Sequence, residues 1–288
     1  MSKIEIVPFF HQVTNTVTYV LIDLATKHCA IIDAVLDYDP ASGRTSTTSA
    51  DEVIKFVDEH GYHLEWILET HAHADHVTAA HYIQSQIGGS IGIGEKIARV
   101  QSTFKQIFNL PEDFKVDGSQ FDNLFCDKEV ITLGHIDIHV LHTPGHTPAC
   151  VSYFVEDAVF VGDTMFMPDY GTARADFPNG SAKTLYQSIQ RILTLPDTTR
   201  VFVGHDYKAE NRENYAWETT VLEQRHNNIH IGKGTSQEAF VKMREKRDAT
   251  LAVPRLILPS IQINIRAGQL PAVESNGHSY LKIPLNVI

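Results

Sequence analysis

Residues 70–76 read T-H-A-H-A-D-H and follow the apolar run W-I-L at 66–68. Imidazole nitrogens and carboxylate oxygens are ligands for divalent first-row metals, and this turn offers His71, His73, Asp75 and His76. A strand that ends here and turns into a helix can aim alternate side chains into one pocket. His71 and His73 can then face one ion while Asp75 and His76 face a neighbouring position. A solvated polar loop is the alternative, and so many ligands on one turn argue against it. Three later positions repeat the arrangement of a strand followed by a ligand: His146 in T-P-G-H-T (143–147), Asp163 in V-G-D-T (161–164) and His205 in V-G-H-D-Y (203–207). An aspartate after a strand is by itself usually a turn former, so Asp163 gains its meaning from the set.

These residues need elements to hold them. N-T-V-T-Y-V-L-I-D (15–23) and H-C-A-I-I-D-A (28–34) are β-rich runs, and A-D-E-V-I-K-F-V-D-E-H-G (50–61) has helical spacing closed by Gly61. The polar stretch 37–49 reads as a loop. E-W-I-L-E-T (65–70) is a strand leading into the ligand turn, with a helix expected from about Asp75 through residue 88, and 97–110 is again helical, stopping at Pro111. Four β-rich runs follow at 129–134, 136–143, 149–155 and 158–163. A helix at 181–195, opened by Ser181, precedes the strand 200–206. Beyond it lie helical runs at about 214–226 and 236–251, with Thr235 and Glu238 placed for a capping box, and a Pro-rich tail, 252–288, that reads as irregular. Strands, helices, strands, helices in that order predict an α+β fold with two sheets between helical layers and the ligands at one sheet edge. The expected organisation is one domain, 1–288, with its core at about 5–210 and an extension at about 211–288.

Composition narrows the function. The chain has 288 residues, 43% of them hydrophobic, 16 histidines and a formal net charge of −11. So negative a chain is a poor fit to a nucleic-acid backbone or an anionic membrane surface. Cys29, Cys126 and Cys150 form no C-x-x-C pair and are too few for a disulfide framework, which suggests a reducing, cytoplasmic setting. The opening residues do not resemble a signal peptide, and no apolar run approaches the ~18 residues of a membrane span. Cys150, four residues after His146, reads as a small buried hydrophobe.

The ordered set of motifs resembles the metallo-β-lactamase superfamily over roughly residues 5–210. The resemblance implies its αββα four-layer sandwich and a structural role for Asp33 in A-I-I-D-A. Asp163 and the lack of a cysteine near the last motif look like the branches that act on glutathione derivatives, glyoxalase II and persulfide dioxygenase. The run G-T-A-R-A-D-F-P-N-G-S-A-K-T-L-Y-Q-S-I-Q-R-I-L-T-L-P-D (171–197) and the later A-V-P-R-L-I-L-P-S-I-Q-I-N-I-R-A-G-Q (252–269) are similar to the persulfide dioxygenases of the ethylmalonic-encephalopathy type. The sequence departs from that pattern at H-A-D-H-V-T-A-A, where a glycine commonly follows. It also carries extra residues at about 97–125, as in a bacterial hydrolase-like subgroup often found with or fused to a rhodanese domain.

What the resemblance implies is a single Fe(II) held by His71, His146 and Asp163, with zinc possible as isolated. A facial triad of two histidines and one carboxylate leaves positions for a persulfide sulfur and dioxygen. His73, Asp75, His76 and His205 then orient ligands and water, or hold a second ion in the alternative, a dinuclear zinc thioester hydrolase of the glyoxalase II kind. Arg174 and Tyr207 match glutathione-contacting positions of the related thioesterases, and Arg266 is a further candidate from the C-terminal motif. An ion pair between Arg174 and Asp176 is the structural alternative for that arginine. The expected partners are a small thiol persulfide and dioxygen, a second copy of the chain in a homodimer, and a functional link to a separate rhodanese.

Overall fold

The computed structural model describes residues 3–210 and 212–287. One six-stranded sheet runs, in spatial order, Ile4–His11, Thr16–Asp23, His28–Ile32, His63–Leu68, Ser90–Gly94 and Asn123–Phe125. The second six-stranded sheet is ordered Val130–Leu133, Ile136–His142, Val151–Val155, Ala158–Phe160, Arg200–Phe202 and Glu218–Thr220. Strand 16–23 is buried at every position because both of its faces are covered. Val17, Tyr19 and Leu21 point to the inter-sheet core with Ile138, Val140, Tyr153 and Phe160 of the other sheet.

The outer faces take the helices. Helices α1 (Thr48–Glu59), α2 (Ala80–Ile87) and α3 (Ile97–Ile107) cover the first sheet, where Val53, Ile83 and Phe104 meet Val20 and Ile31. Helices α4 (Ala182–Ile192), α5 (Val221–Asn227) and α6 (Gln237–Asp248) cover the second, through Leu185, Val221 and Phe240. The last helix, α7 (Ile257–Asn264), returns to the first sheet and buries Ile257 and Ile261 there. This is the αββα sandwich.

Strands 28–32, 63–68 and 90–94 run parallel, and strand 158–160 runs parallel to 200–202. Their C-terminal ends therefore open on shared edges, where Asp33, the 70–76 turn, Asp163 and His205 follow. Two glycines allow the turns to close. Gly162 has φ 48°, and a Cβ there would sit 2.4 Å from the Thr70 hydroxyl; Gly145 has φ 139°, and a Cβ would sit 2.3 Å from the backbone of Leu185 in α4.

Several local expectations change. The 37–49 segment holds a hairpin, Val35–Asp39 with Arg44–Ser46. Its turn is held by Asp39, which accepts from Ala41 N at 2.9 Å and the Ser42 hydroxyl at 2.6 Å. The helix expected from Asp75 begins only at Ala80, because Val77–Thr78 pairs with Val35 and Leu36 as a short strand. The run at 214–226 divides into strand 218–220 and α5, with Thr220 as the cap. Ser236, not Thr235, caps α6, accepting from Ala239 N at 3.2 Å.

The largest change is in the tail. Residues 252–288 contain α7, with Pro259 in the first turn where its missing N–H costs nothing. The Asn264 amide donates to the carbonyls of His73 and His76, each at 2.8 Å, and its oxygen accepts from Thr78 N at 2.9 Å. Replacing Asn264 by Ala strips three buried backbone groups of their partner and should cost about 3 kcal/mol. Urea unfolding of the metal-free chain measures this, and Asn264→Asp, which sets a carboxylate against two carbonyls, should be no better.

Candidate metal centre

Each candidate histidine has one ring nitrogen engaged from outside. The Thr70 hydroxyl lies 3.0 Å from His71 Nδ1, and Asp33 Oδ1 and Glu69 Oε2 lie 3.0 and 3.4 Å from His73 Nε2. His146 Nδ1 donates to the Arg174 carbonyl at 2.8 Å. His76 and His205 turn Nδ1 to the Thr16 hydroxyl, at 3.4 and 3.3 Å. The opposite nitrogens of His71, His73, His76 and His205 are buried with no hydrogen-bond partner, as is Asp163 Oδ1. Buried polar atoms without partners are rare, and so many converging on one spot fit a cation.

Among the described residues the ligand atoms form three groups, each within 4.8 Å: His71, His146 and Asp163; His73, Asp75, His76 and His205; and Asp33, Glu69 and His73, which shares its histidine with the second. His71 and His73, whose spacing suggests one shared ion, fall in different groups although their ring centroids are 4.0 Å apart. Nε2 of His73 faces Asp33 and Glu69, and its ring lies 4.1 Å from that of His76. Asp163 joins the first two groups, with Oδ2 3.6 Å from His146 Nε2 and Oδ1 3.2 Å from His205 Nε2.

Electrostatics keep His71 and His76 neutral. Burial, aided by the His73 and His146 charges, holds His71 well below the usual range, and burial with the His73 charge lowers His76 to about 4. His73 is the exception: burial opposes its charge, but Asp33 and Glu69 raise it well above the ordinary value. Burial would keep Asp75 protonated, yet the neighbouring His205 and His76 hold it well below the usual carboxylate range.

A cavity of about 340 Å³ opens on Asp75, His146 and Asp163, and Arg174, Tyr207, Arg247 and Arg255 line it further out. Tyr207 stacks on the His205 ring at 5.6 Å and on Tyr170 at 5.1 Å. Arg174 is on the lining but its guanidinium is engaged, bonded to both oxygens of Asp176 at 2.5 and 2.7 Å and to the Ala252 carbonyl at 2.6 Å. Arg266 is corrected: it lies over the Phe114 ring at 4.4 Å and faces a different cavity, because α7 carries it to the side of the 109–120 segment. Residues not singled out in the sequence include Glu69, Asn264, Arg247 and Arg255. An Asn followed by an Arg in the tail motif was the one visible trace of Asn264.

The sequence matches the family model of the metallo-beta-lactamase superfamily over residues 13–205, and the chain belongs to that superfamily. It is 53% identical over 289 residues to a Dictyostelium discoideum protein named Glyoxylase B2, spanning 100% of this chain and 98% of that one. It is 29% identical over 262 residues to the mitochondrial persulfide dioxygenase ETHE1 of Homo sapiens, spanning 90% of this chain and 87% of that one. The crystal structure of ETHE1 from Myxococcus xanthus superposes with a TM-score of 0.73 at 28% identity, covering 92% of this chain and 100% of that one. Among the described residues, no helix is long and apolar enough to cross a membrane.

The metal-free chain should lose stability as pH falls from 6.5 toward about 4. In that window the unfolded chain protonates His76 and the folded chain does not, so acid favours unfolding. His73, raised in the folded state, contributes its full stabilisation below pH 6.5 and does not alter the slope. Urea midpoints followed downward from neutral pH measure the loss, which should be shallower in His76→Gln.

Proposed function

We propose that the chain is an iron-dependent persulfide dioxygenase that converts glutathione persulfide, dioxygen and water to glutathione and sulfite. The observation that carries this reading is the asymmetry of exposure. His146 and Asp163 of the two-histidine, one-carboxylate triad face the cavity, whereas of the second group only Asp75 reaches it. His71, like His73, His76 and His205, is at most 1% exposed, so the open side of the site is that of His146 and Asp163. Open coordination positions thus belong to the triad.

Fe(II), when held by His71, His146 and Asp163, would supply the redox chemistry that links sulfur to dioxygen. The protein's share is placement. The Arg174 carbonyl fixes the His146 tautomer, and the Thr70 hydroxyl steadies His71. Phe166, Tyr170 and Tyr207 form an aromatic wall that excludes water beside the triad. Arg247 and Arg255, exposed on the lining, offer cations to the two carboxylates of a glutathione group.

A second reading, a dinuclear zinc thioester hydrolase, is favoured by Asp163, whose two oxygens reach the first and second groups. The relative named Glyoxylase B2 supports the same reading.

Anaerobically purified, iron-reconstituted chain should bind one iron per chain and consume oxygen on addition of glutathione persulfide, with matching sulfite. His146→Ala should abolish both. Two zinc ions per chain with cleavage of S-lactoylglutathione and no oxygen uptake would establish the hydrolase instead.

A further inference from the structure

The carbonyl that orients His146 belongs to a stretch, 171–177, that forms neither strand nor helix. Its direction must therefore be set from outside. The Arg174 carbonyl and the Ala175 N–H are the two ends of one planar peptide unit, so holding one end directs the other. His146 Nδ1 donates to the carbonyl at 2.8 Å, and on the opposite side Ala175 N donates to Asp248 Oδ2 at 2.9 Å. Asp248 is the last residue of α6, four positions after Arg244. Its other oxygen, Oδ1, accepts from Arg244 Nε at 2.8 Å and lies 2.6 Å from Arg244 Nη2, while Arg244 Nη1 donates to the Thr172 carbonyl at 3.0 Å. The pair thus holds the segment on both sides of Arg174. His230 supports the Thr172 end as well, its Nδ1 accepting from Thr172 N at 2.9 Å, but among the described residues Asp248 alone takes the Ala175 N–H.

We infer that Asp248, clamped by Arg244, is a positioning residue for the metal ligand His146, acting through the Arg174–Ala175 peptide. A ligating histidine is commonly oriented by a carboxylate or a carbonyl on its outer nitrogen. Here the carbonyl is itself oriented by a carboxylate on the far side of the same peptide. A carboxylate on the N–H also polarises the peptide and makes its C=O a better acceptor. The ring that results presents Nε2 to the centre, 3.6 Å from Asp163 Oδ2. The inference rests on the proposed reading only in taking His146 as a ligand, and every group along the line keeps the proton it has.

The chemistry of the pair fits this task. The Arg244 and Asp248 side chains are 1% and 5% exposed. Taking two charges out of water offsets much of what their attraction returns, and apolar side chains could fill the same space. What apolar side chains could not do is accept from Ala175 and donate to Thr172. A carboxylate is required because it has two acceptor oxygens, one for the guanidinium and one for the peptide. In Asp248→Asn the single oxygen can serve only one of them, and the amide sets N–H groups against the other.

Two measurements test the role, neither of them turnover. The first is NMR exchange of the His146 Nδ1 proton with water in the metal-free chain, which should quicken about tenfold or more in Asp248→Asn as the carbonyl loses its direction. The second is anaerobic titration with Fe(II) alone, where the same variant should bind about tenfold or more weakly. Phe240→Leu is the control: it shortens a fully buried ring of α6, loosens the packing of that helix, and should leave both readouts within about twofold. If Asp248→Asn does not fold, Arg244→Met combined with Asp248→Leu removes both charges together, leaves neither unpaired and still strips Ala175 N of its acceptor. That double variant should show the same faster exchange and weaker binding. Unchanged exchange or unchanged Fe(II) affinity in the Asp248 variants overturns the role. So does an equal change in Phe240→Leu, which would reduce the pair to a fastening of α6. Fe(II) binding by His146→Ala at the parent's affinity would instead overturn the ligand assignment, and the exchange measurement would still judge whether Asp248 holds the ring.

Discussion

The buried carboxylate of Asp33 organises the centre. It follows strand 28–32 at φ 53°, a backbone state that aspartate tolerates better than most residues. From there it accepts from Thr70 N and the Thr70 hydroxyl, each at 2.8 Å, and from His73 Nε2 at 3.0 Å. One anion thus fixes the start of the ligand turn and the ring of its second histidine. A bare carboxylate in so dry a place would be costly, but these donors and the His73 charge hold it below the usual carboxylate range against the effect of burial. The same contact turns Nε2 of His73 outward and leaves its Nδ1, buried and without a hydrogen-bond partner, facing into the centre.

Around that anchor the turn is braced from several sides. Glu69 accepts from the Thr78 hydroxyl at 2.5 Å, Tyr153 of the second sheet donates to the Glu69 carbonyl at 2.8 Å, and Val151 N donates to the Thr70 carbonyl at 2.9 Å. Asn264 of α7 holds two carbonyls of the turn from behind. The 97–125 segment supports α7 in its turn, since Gln101 of α3 donates to the Ile265 carbonyl at 2.9 Å. This segment and the tail therefore act on the metal centre without reaching it. Ligand geometry set by fixed partners is what preorganises a metal site, because little reorganisation is then left to the bound ion.

The same economy appears in the imidazoles. Each keeps one nitrogen engaged and presents the other inward, so tautomer and ring orientation are decided before any ion arrives. Asp163, on a short 3-10 turn after strand 158–160, is placed by the close approach of Gly162 to Thr70. A side chain at position 162 would push the carboxylate and the ligand turn apart.

The sequence by itself determined the histidines and aspartates that converge on the centre, the strands that carry them and the layered architecture. Period-two and period-3.6 apolar patterns are local, and histidines grouped after β-rich runs leave few other roles. It could not determine how the ligand atoms group in space, since that depends on which nitrogen of each ring an outside partner such as Asp33 or Glu69 engages. Nor did local pattern find α7, whose apolar residues surround the helix because it is buried, so no amphipathic stripe marks it. Arg174 and Arg266 show the same limit: an arginine's neighbours in sequence do not say whether its guanidinium faces substrate, an aspartate or an aromatic ring. Those choices were made by tertiary packing, where burial and paired charge outweigh the preferences of any single segment.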